Sequence, residues 1–255
     1  MGILGSSSFR ASHIFYLNDS SESKLLFETA LSLLERVYTL VAACEEYPEL
    51  AEEIGLLFVP YQRGRNLPFF VISLSEEWDD LSQWRGYTRP GNGYSLIWDH
   101  QSLERSALAQ GWRLAPCLYE NELNALLVPF LTDAFERIRV LGRDQARVIA
   151  QELYDKVIEF VPLVKHSGFR SENEWRLVSP LLDPFTTKWS YRAGASHMIP
   201  FVDFLLEPAH LHPLLHVNVG PGPNSDLAAQ AVGSFLMQSG YGCGYGISSI
   251  PYRSW

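Results

Sequence analysis

Cysteine is scarce in this sequence, with three among 255 residues: Cys44, Cys117 and Cys243. The number is odd and no two stand in a C-x-x-C pair, which excludes a disulfide-stapled scaffold. Cys44 and Cys117 sit in apolar stretches and read as small buried hydrophobes, so a reducing, cytoplasmic setting is expected. Charge is also sparse, at 19% of residues against roughly 25% in a typical globular chain. Its balance is −9, and apart from Arg63-Gly64-Arg65 and the stretch 137–147 the basic residues are scattered. A phosphate-binding face needs clustered Lys and Arg, so nucleic acid is not the expected partner. No apolar run approaches the ~20 residues of a membrane span, so no membrane partner is expected either. The opening residues lack the basic and apolar regions of a signal peptide. There is no internal repeat and no long linker.

Core-forming residues are plentiful: 47% of the chain is hydrophobic, with 7 Trp, 12 Tyr and 14 Phe. A chain of this length buries about 70–75% of its unfolded surface. A single domain over residues 1–255 is therefore expected. Asp19-Ser20-Ser21-Glu22 has the form of a capping box. Leu26, Ala30, Leu33, Val37, Leu40 and Cys44 then recur at helical spacing, and Pro48 opens a second helix. Strands are predicted at 69–75, 94–98, 114–119, 174–179, 198–205 and 216–219. Residues 121–160 read as two helices broken near Gly142, inserted between strands, and a last helix spans 225–238. Strands and helices do not alternate strictly. The expected class is therefore α+β, a mixed, largely antiparallel sheet with helices packed on it.

Four groups of residues stand out. They are Leu17-Asn18-Asp19 with Glu22; Ser73-Leu74-Ser75-Glu76 with Asp79, Trp84, Tyr87, Gly93 and Asp99; Lys165 with Phe169, Glu172, Glu174, Trp175 and Arg176; and Val219-Gly220-Pro221 with the closing Ser249-Ile250-Pro251-Tyr252-Arg253. In this order they resemble the bacterial family called domain of unknown function 2971, from about residue 9 onward. Members of that family open with an extra strand and turn bearing Tyr or His. Only about ten residues precede the cap region here, so either the start is truncated or that strand is absent.

Ser73 and Ser75 alternate on a strand and present both hydroxyls to one face. Glu172 and Glu174 do the same if their segment is extended. This pairing also resembles ADP-ribosyltransferases, which place Ser-x-Ser on one strand and Glu-x-Glu near another. The resemblance implies that Glu174 stabilises the positive charge that develops at the ribose of NAD, while Glu172 orients the acceptor. Trp84 and Tyr87 would stack on a ring of the nucleotide, with Arg176 among the ligand-binding residues. The first-strand Arg or His of those enzymes is not evident in the sequence.

Two functions of different class fit these residues. One is an NAD-using transferase of ADP-ribosyltransferase type, acting as a toxin or anti-phage effector. The other is a non-enzymatic sensor or protein-interaction module that uses the Trp84/Tyr87 region as its binding face. In structural terms Glu174 and Arg176 would form an ion pair on one strand, and Trp84 and Tyr87 would belong to the core. His210-x-His212-x-x-x-His216 is dense in imidazole, but Pro208 and Pro213 prevent a helix that would present His212 and His216 together, and no metal site is expected. The run 240–246 is glycine-rich and reads as a flexible turn.

Overall fold

The computed structural model describes residues 2–17, 35–62, 67–88, 93–194, 196–207 and 213–251. The capping box at 19–22, the stripe residues Leu26, Ala30 and Leu33, Asn18, Arg63-Gly64-Arg65, the turn residues 90–92, His210, His212, Tyr252 and Arg253 lie outside them. The described elements are α1 (Gly2–Ser6), β1 (Ser8–His13), α2 (helical residues 35–42), α3 (Pro48–Gln62), β2 (Phe70–Ser75), α4 (Leu81–Tyr87), β3 (Tyr94–Trp98) and α5 (His100–Ala109). They continue with β4 (Arg113–Pro116), β5 (Leu118–Tyr119), α6 (Glu120–Leu141), α7 (Ala146–Phe160), β6 (Val164–Lys165), β7 (Glu174–Val178), β8 (Ser190–Ala193), β9 (Met198–Leu205), β10 (Leu214–Val219), α8 (Ser225–Gln238) and β11 (Gly244–Ile247). No helix among them is long and apolar enough to cross a membrane.

The fold is α+β. Six antiparallel strands run in the order β4-β7-β2-β1-β9-β8, a second sheet in the order β11-β10-β3, and β5 pairs with β6. The parallel pairs are β10 with β11 and β5 with β6, so the sheets are mixed but largely antiparallel. One face of the six-stranded sheet meets α2, α3, α6 and α7 through Val71, Val178, Ile138, Ile149, Leu153 and Val157. The other face buries Phe9, Phe70, Leu177 and Phe204 against α5, and continues through Trp98 to the second sheet, which α8 covers.

Several expectations change. The first strand is present: β1 lies inside the six-stranded sheet and carries Arg10 and His13. Its sequence, with only Phe9 and Ala11 as apolar members of one face, gives no strand signal because its buried residues include Ser8, Ser12 and His13. In α2 the buried pair is Val37 and Val41, and Leu40 is exposed. In α8 Ala229 and Leu236 are buried while Leu227 faces solvent. The strand expected over 114–119 is broken at Cys117, whose N–H donates to Glu174 O at 2.8 Å. The glycine-rich run ends in a strand, β11, not a flexible turn. The missing Cβ atoms of Gly244 and Gly246 let it lie beside His216 of β10, whose ring stands 2.8 Å from where a Cβ on Gly244 would be.

β1 and β2 form a fork. They pair only at Ser12↔Val71 and His13↔Phe70. Beyond that point β1 continues with β9 alone and β2 with β7 alone. Among the described residues the open side of β2, residues 72–75, has no neighbouring strand. That open side locates the candidate site.

Candidate functional site

Ser73 and Ser75 lie at the open end of β2, opposite Arg176 and Glu174 of β7. Paired residues in an antiparallel ladder share a face, so these four side chains stand together. Ser73 Oγ donates to Glu174 Oε1 at 2.6 Å, and Arg176 Nε donates to the same oxygen at 2.7 Å. Arg176 Nη1 reaches Pro162 O at 2.8 Å. Lys165, at the end of β6, donates to Glu174 Oε2 and, at 2.5 Å, to Glu172 Oε2. Its ammonium also stands 5.0 Å from the centre of the Phe169 ring.

The expectation that Glu172 and Glu174 alternate along one strand does not hold. Glu172 closes a 3-10 helix, Ser167–Glu172, and Asn173 turns the chain with φ 42° before β7 begins at Glu174. The two carboxylates meet through this turn, because Lys165 holds one oxygen of each. Ser75 fixes the turn from the other side, donating its hydroxyl to Glu172 O at 2.8 Å.

Burial differs sharply within the group. Arg176 is 1% exposed, Lys165 4% and Glu174 6%. The Glu172 side chain retains 19%, and Tyr87 Oη lies 3.4 Å from its Oε2. Burial by itself would push the Glu174 carboxyl up. The Arg176 guanidinium, with hydrogen bonds from Arg176, Lys165 and Ser73, outweighs it and holds the group below its ordinary value. Burial likewise works against the Lys165 charge, but the two glutamates reverse the effect and raise its pKa. Two cations thus face two carboxylates, and the group is neutral as a whole.

Ser73, Ser75, Trp84 and Tyr87 also line a cleft of about 690 Å³ at the fork, between the end of β2, α4 and β3. Glu172 and Glu174 are not part of its wall; Tyr87 is the link, since it lines the cleft and touches Glu172. Sequence reasoning missed the rest of the lining. It includes Phe9, Trp78, Tyr94, Trp98, His100, Trp175, Glu76, Glu77 and Asp80. Trp175 Nε1 donates to Glu76 Oε1 at 2.7 Å, and the Trp175 ring meets His100 edge to face. The alternation along β7 was the available signal: with Glu174 and Arg176 on one face, Trp175 must stand on the other.

Trp84 is buried beneath the cleft. Asp80 caps α4, and its carboxyl is held below its ordinary value first by the Ser82 hydroxyl. Asp79 accepts from Trp84 Nε1 at 2.8 Å, Ser248 Oγ at 2.6 Å and Ser249 N at 3.1 Å. Gly220 N donates to Gly93 O at 2.9 Å, and a Cβ at Gly220 would sit 3.0 Å from the Trp84 ring. Asp79, Trp84, Gly93, Gly220 and Ser249, scattered in sequence, are thus one packed wall. Among the described residues no cluster of three or more His, Cys, Asp or Glu side chains is arranged to hold a metal ion.

Residues 83–177 match the model of a family described as protein of unknown function, DUF2971. This is the family that the sequence resembles. The DUF2971 match takes in Trp84, Tyr87, Lys165, Glu172, Glu174 and Arg176, and leaves out β2 and the C-terminal wall. It covers well under half of the chain, less than the span from about residue 9 expected above. No curated protein and no solved structure matches. These comparisons give no support to the likeness to ADP-ribosyltransferases.

Proposed function

We propose that this protein binds a nucleotide of the NAD kind at the forked end of the six-stranded sheet and acts as a transferase of ADP-ribosyltransferase type. The observation that supports this most is the cleft at the open edge of β2, where Trp84 and Tyr87 meet the strand at Ser73 and Ser75. The two serine hydroxyls turn to Glu174 and the Glu172 carbonyl, and the Glu172 carboxylate lies against Tyr87. The roles of the two glutamates then differ from those the resemblance implies. Both Glu174 oxygens are already engaged and sealed from solvent, so Glu174 positions Lys165 and, through it, Glu172. Glu172 is the carboxylate able to face a ribose. As the glycosidic bond breaks, its electron pair leaves with nicotinamide and positive charge grows on the ribose; a fixed carboxylate there lowers the barrier. A cytoplasmic toxin or anti-phage effector is the biological setting that fits such an activity.

The test is incubation with labelled NAD, scoring free nicotinamide and labelled macromolecules. Glu172→Gln is expected to lower the rate about 10²–10³-fold, compared well below a thermal midpoint that itself falls because buried Lys165 loses one of its two carboxylates. No nicotinamide release, together with no NAD binding at millimolar concentration, overturns the proposal. One observation favours the second reading, a protein-interaction module: Trp78, Tyr87 and Tyr94 at the mouth of the cleft are 54%, 60% and 50% exposed. Aromatic residues exposed around a concavity are a common feature of protein-binding faces.

A further inference from the structure

The cleft's charge is as one-sided as the buried group's is balanced. Its wall contains the carboxylates of Glu76, Glu77 and Asp80. Among the described residues, no lysine or arginine lines it and none of the three carboxylates forms an ion pair. The neighbouring cations, Lys165 and Arg176, are committed to Glu172 and Glu174 behind the strand. The remaining surface combines rings, Trp78, Tyr94, Trp98 and Trp175 among them, with aliphatic side chains such as Ile72, Leu74 and Leu103. The hydrogen bond from Trp175 Nε1 to Glu76 fixes one ring and one carboxylate beside each other. An aromatic face attracts a cation through its quadrupole, and the exposed carboxylates of Glu76 and Glu77 add a salt-screened field of the same preference.

We infer that the cleft selects a positively charged, ring-bearing organic ligand of the N-alkylpyridinium class, with any phosphate groups kept outside it. This deepens the reading above and depends on it only for the location of the site. Within NAD, the oxidised nicotinamide ring is the cationic part, and the pyrophosphate is the part for which this wall supplies no partner. Glu76, with Glu77, is the specificity-determining element. Glu76→Gln retains an acceptor for Trp175 Nε1, so the variant removes charge and keeps the local packing.

The experiment is calorimetric titration of the full chain with 1-methylnicotinamide, a cation, and with nicotinamide, its neutral counterpart. The cation is expected to bind about tenfold more tightly or better, a preference that weakens with added salt. In the Glu76→Gln/Glu77→Gln double variant, with an unchanged thermal midpoint, the two affinities are expected to converge. Equal binding by the wild type, binding of neither compound, or a preference that survives the double variant overturns the inference. Cation binding without NAD turnover supports it and removes the transferase reading alone. NAD turnover without any preference for the cation removes the inference alone.

Discussion

Two polar regions meet at the open end of β2, and they are built on opposite terms. Behind the strand, Lys165 and Arg176 face Glu172 and Glu174, three of the four are nearly sealed from water, and each charged end has a fixed partner. In front of it, Glu76, Glu77 and Asp80 share a wide cleft with aromatic rings and no described cation. A buried charge without its partner is costly, so the first region can exist only when balanced. An open cleft is screened by water, so the second can carry an excess of one sign until a ligand offsets it. Balance marks a group that holds the fold, and imbalance marks a group that awaits a partner.

The largest expected effect comes from breaking the balanced side. Arg176→Ala removes a fully buried guanidinium and leaves Glu174 short of a partner; the expected loss is about 3–5 kcal/mol of stability by denaturant unfolding. A loss below about 1 kcal/mol, the scale of an exposed pair, would mean that the group is not the structural unit described.

A similar contrast operates through pH. His13 is buried among Phe70, Trp189, Phe15 and Tyr16, and burial lowers its pKa from 6.5 to about 4. Between these values the unfolded chain binds a proton that the folded chain refuses, so stability falls on acidification through that window, by about 3 kcal/mol in all. Glu174, with its folded pKa below the ordinary value, stabilises above the ordinary carboxyl range. Its contribution is lost only as pH falls through that lowered folded value. The His13→Asn variant, which keeps an acceptor for Phe15 N–H, is expected to flatten the upper part of the acid profile and leave the lower part. An unchanged slope would place the acid sensitivity elsewhere.

The wall beneath the cleft offers a smaller effect. A Cβ at Gly220 presses on Trp84 and on the Gly93 carbonyl, so Gly220→Ala is expected to cost about 1–3 kcal/mol. No change in the thermal midpoint would show that Trp84 shifts freely and that the cleft floor is soft. Smallest of all is Glu76→Gln, on the open side: stability is expected to stay within about 0.5 kcal/mol while binding of a cationic ligand falls. A large loss of stability there would erase the distinction between the two regions.

The sequence was legible where one physical signal dominated. The β-rich run ending in Ser73-Leu74-Ser75, the 225–238 helix and the break at Gly142 all stand where periodicity and turn residues place them. Glu174 and Arg176 share a face as strand alternation implies, but their place opposite Ser73 and the arrival of Lys165 from β6 were set by the tertiary fold. What stayed hidden was set by tertiary contacts. Ser8, Ser12 and His13 are buried only because β9 and β2 flank them, so β1 carries no hydrophobic pattern of its own. Glu172 reaches Lys165 through the left-handed turn at Asn173, not through the alternation that suggested it. The cleft exists because two neighbouring strands separate after two residue pairs, and no local property of either strand encodes that fork.

Whether the fork holds the ligand can be read directly from the indole N–H signals of the seven tryptophans. Trp78, Trp84, Trp98 and Trp175 line the cleft, whereas Trp112 and Trp189 pack in the adjoining core without lining it. In a 15N-resolved titration with 1-methylnicotinamide, the Trp78, Trp98 and Trp175 signals are expected to move together and saturate while Trp112 and Trp189 stay fixed. Saturating shifts confined to Trp112 or Trp189, or no shift at any indole, would contradict binding at the fork.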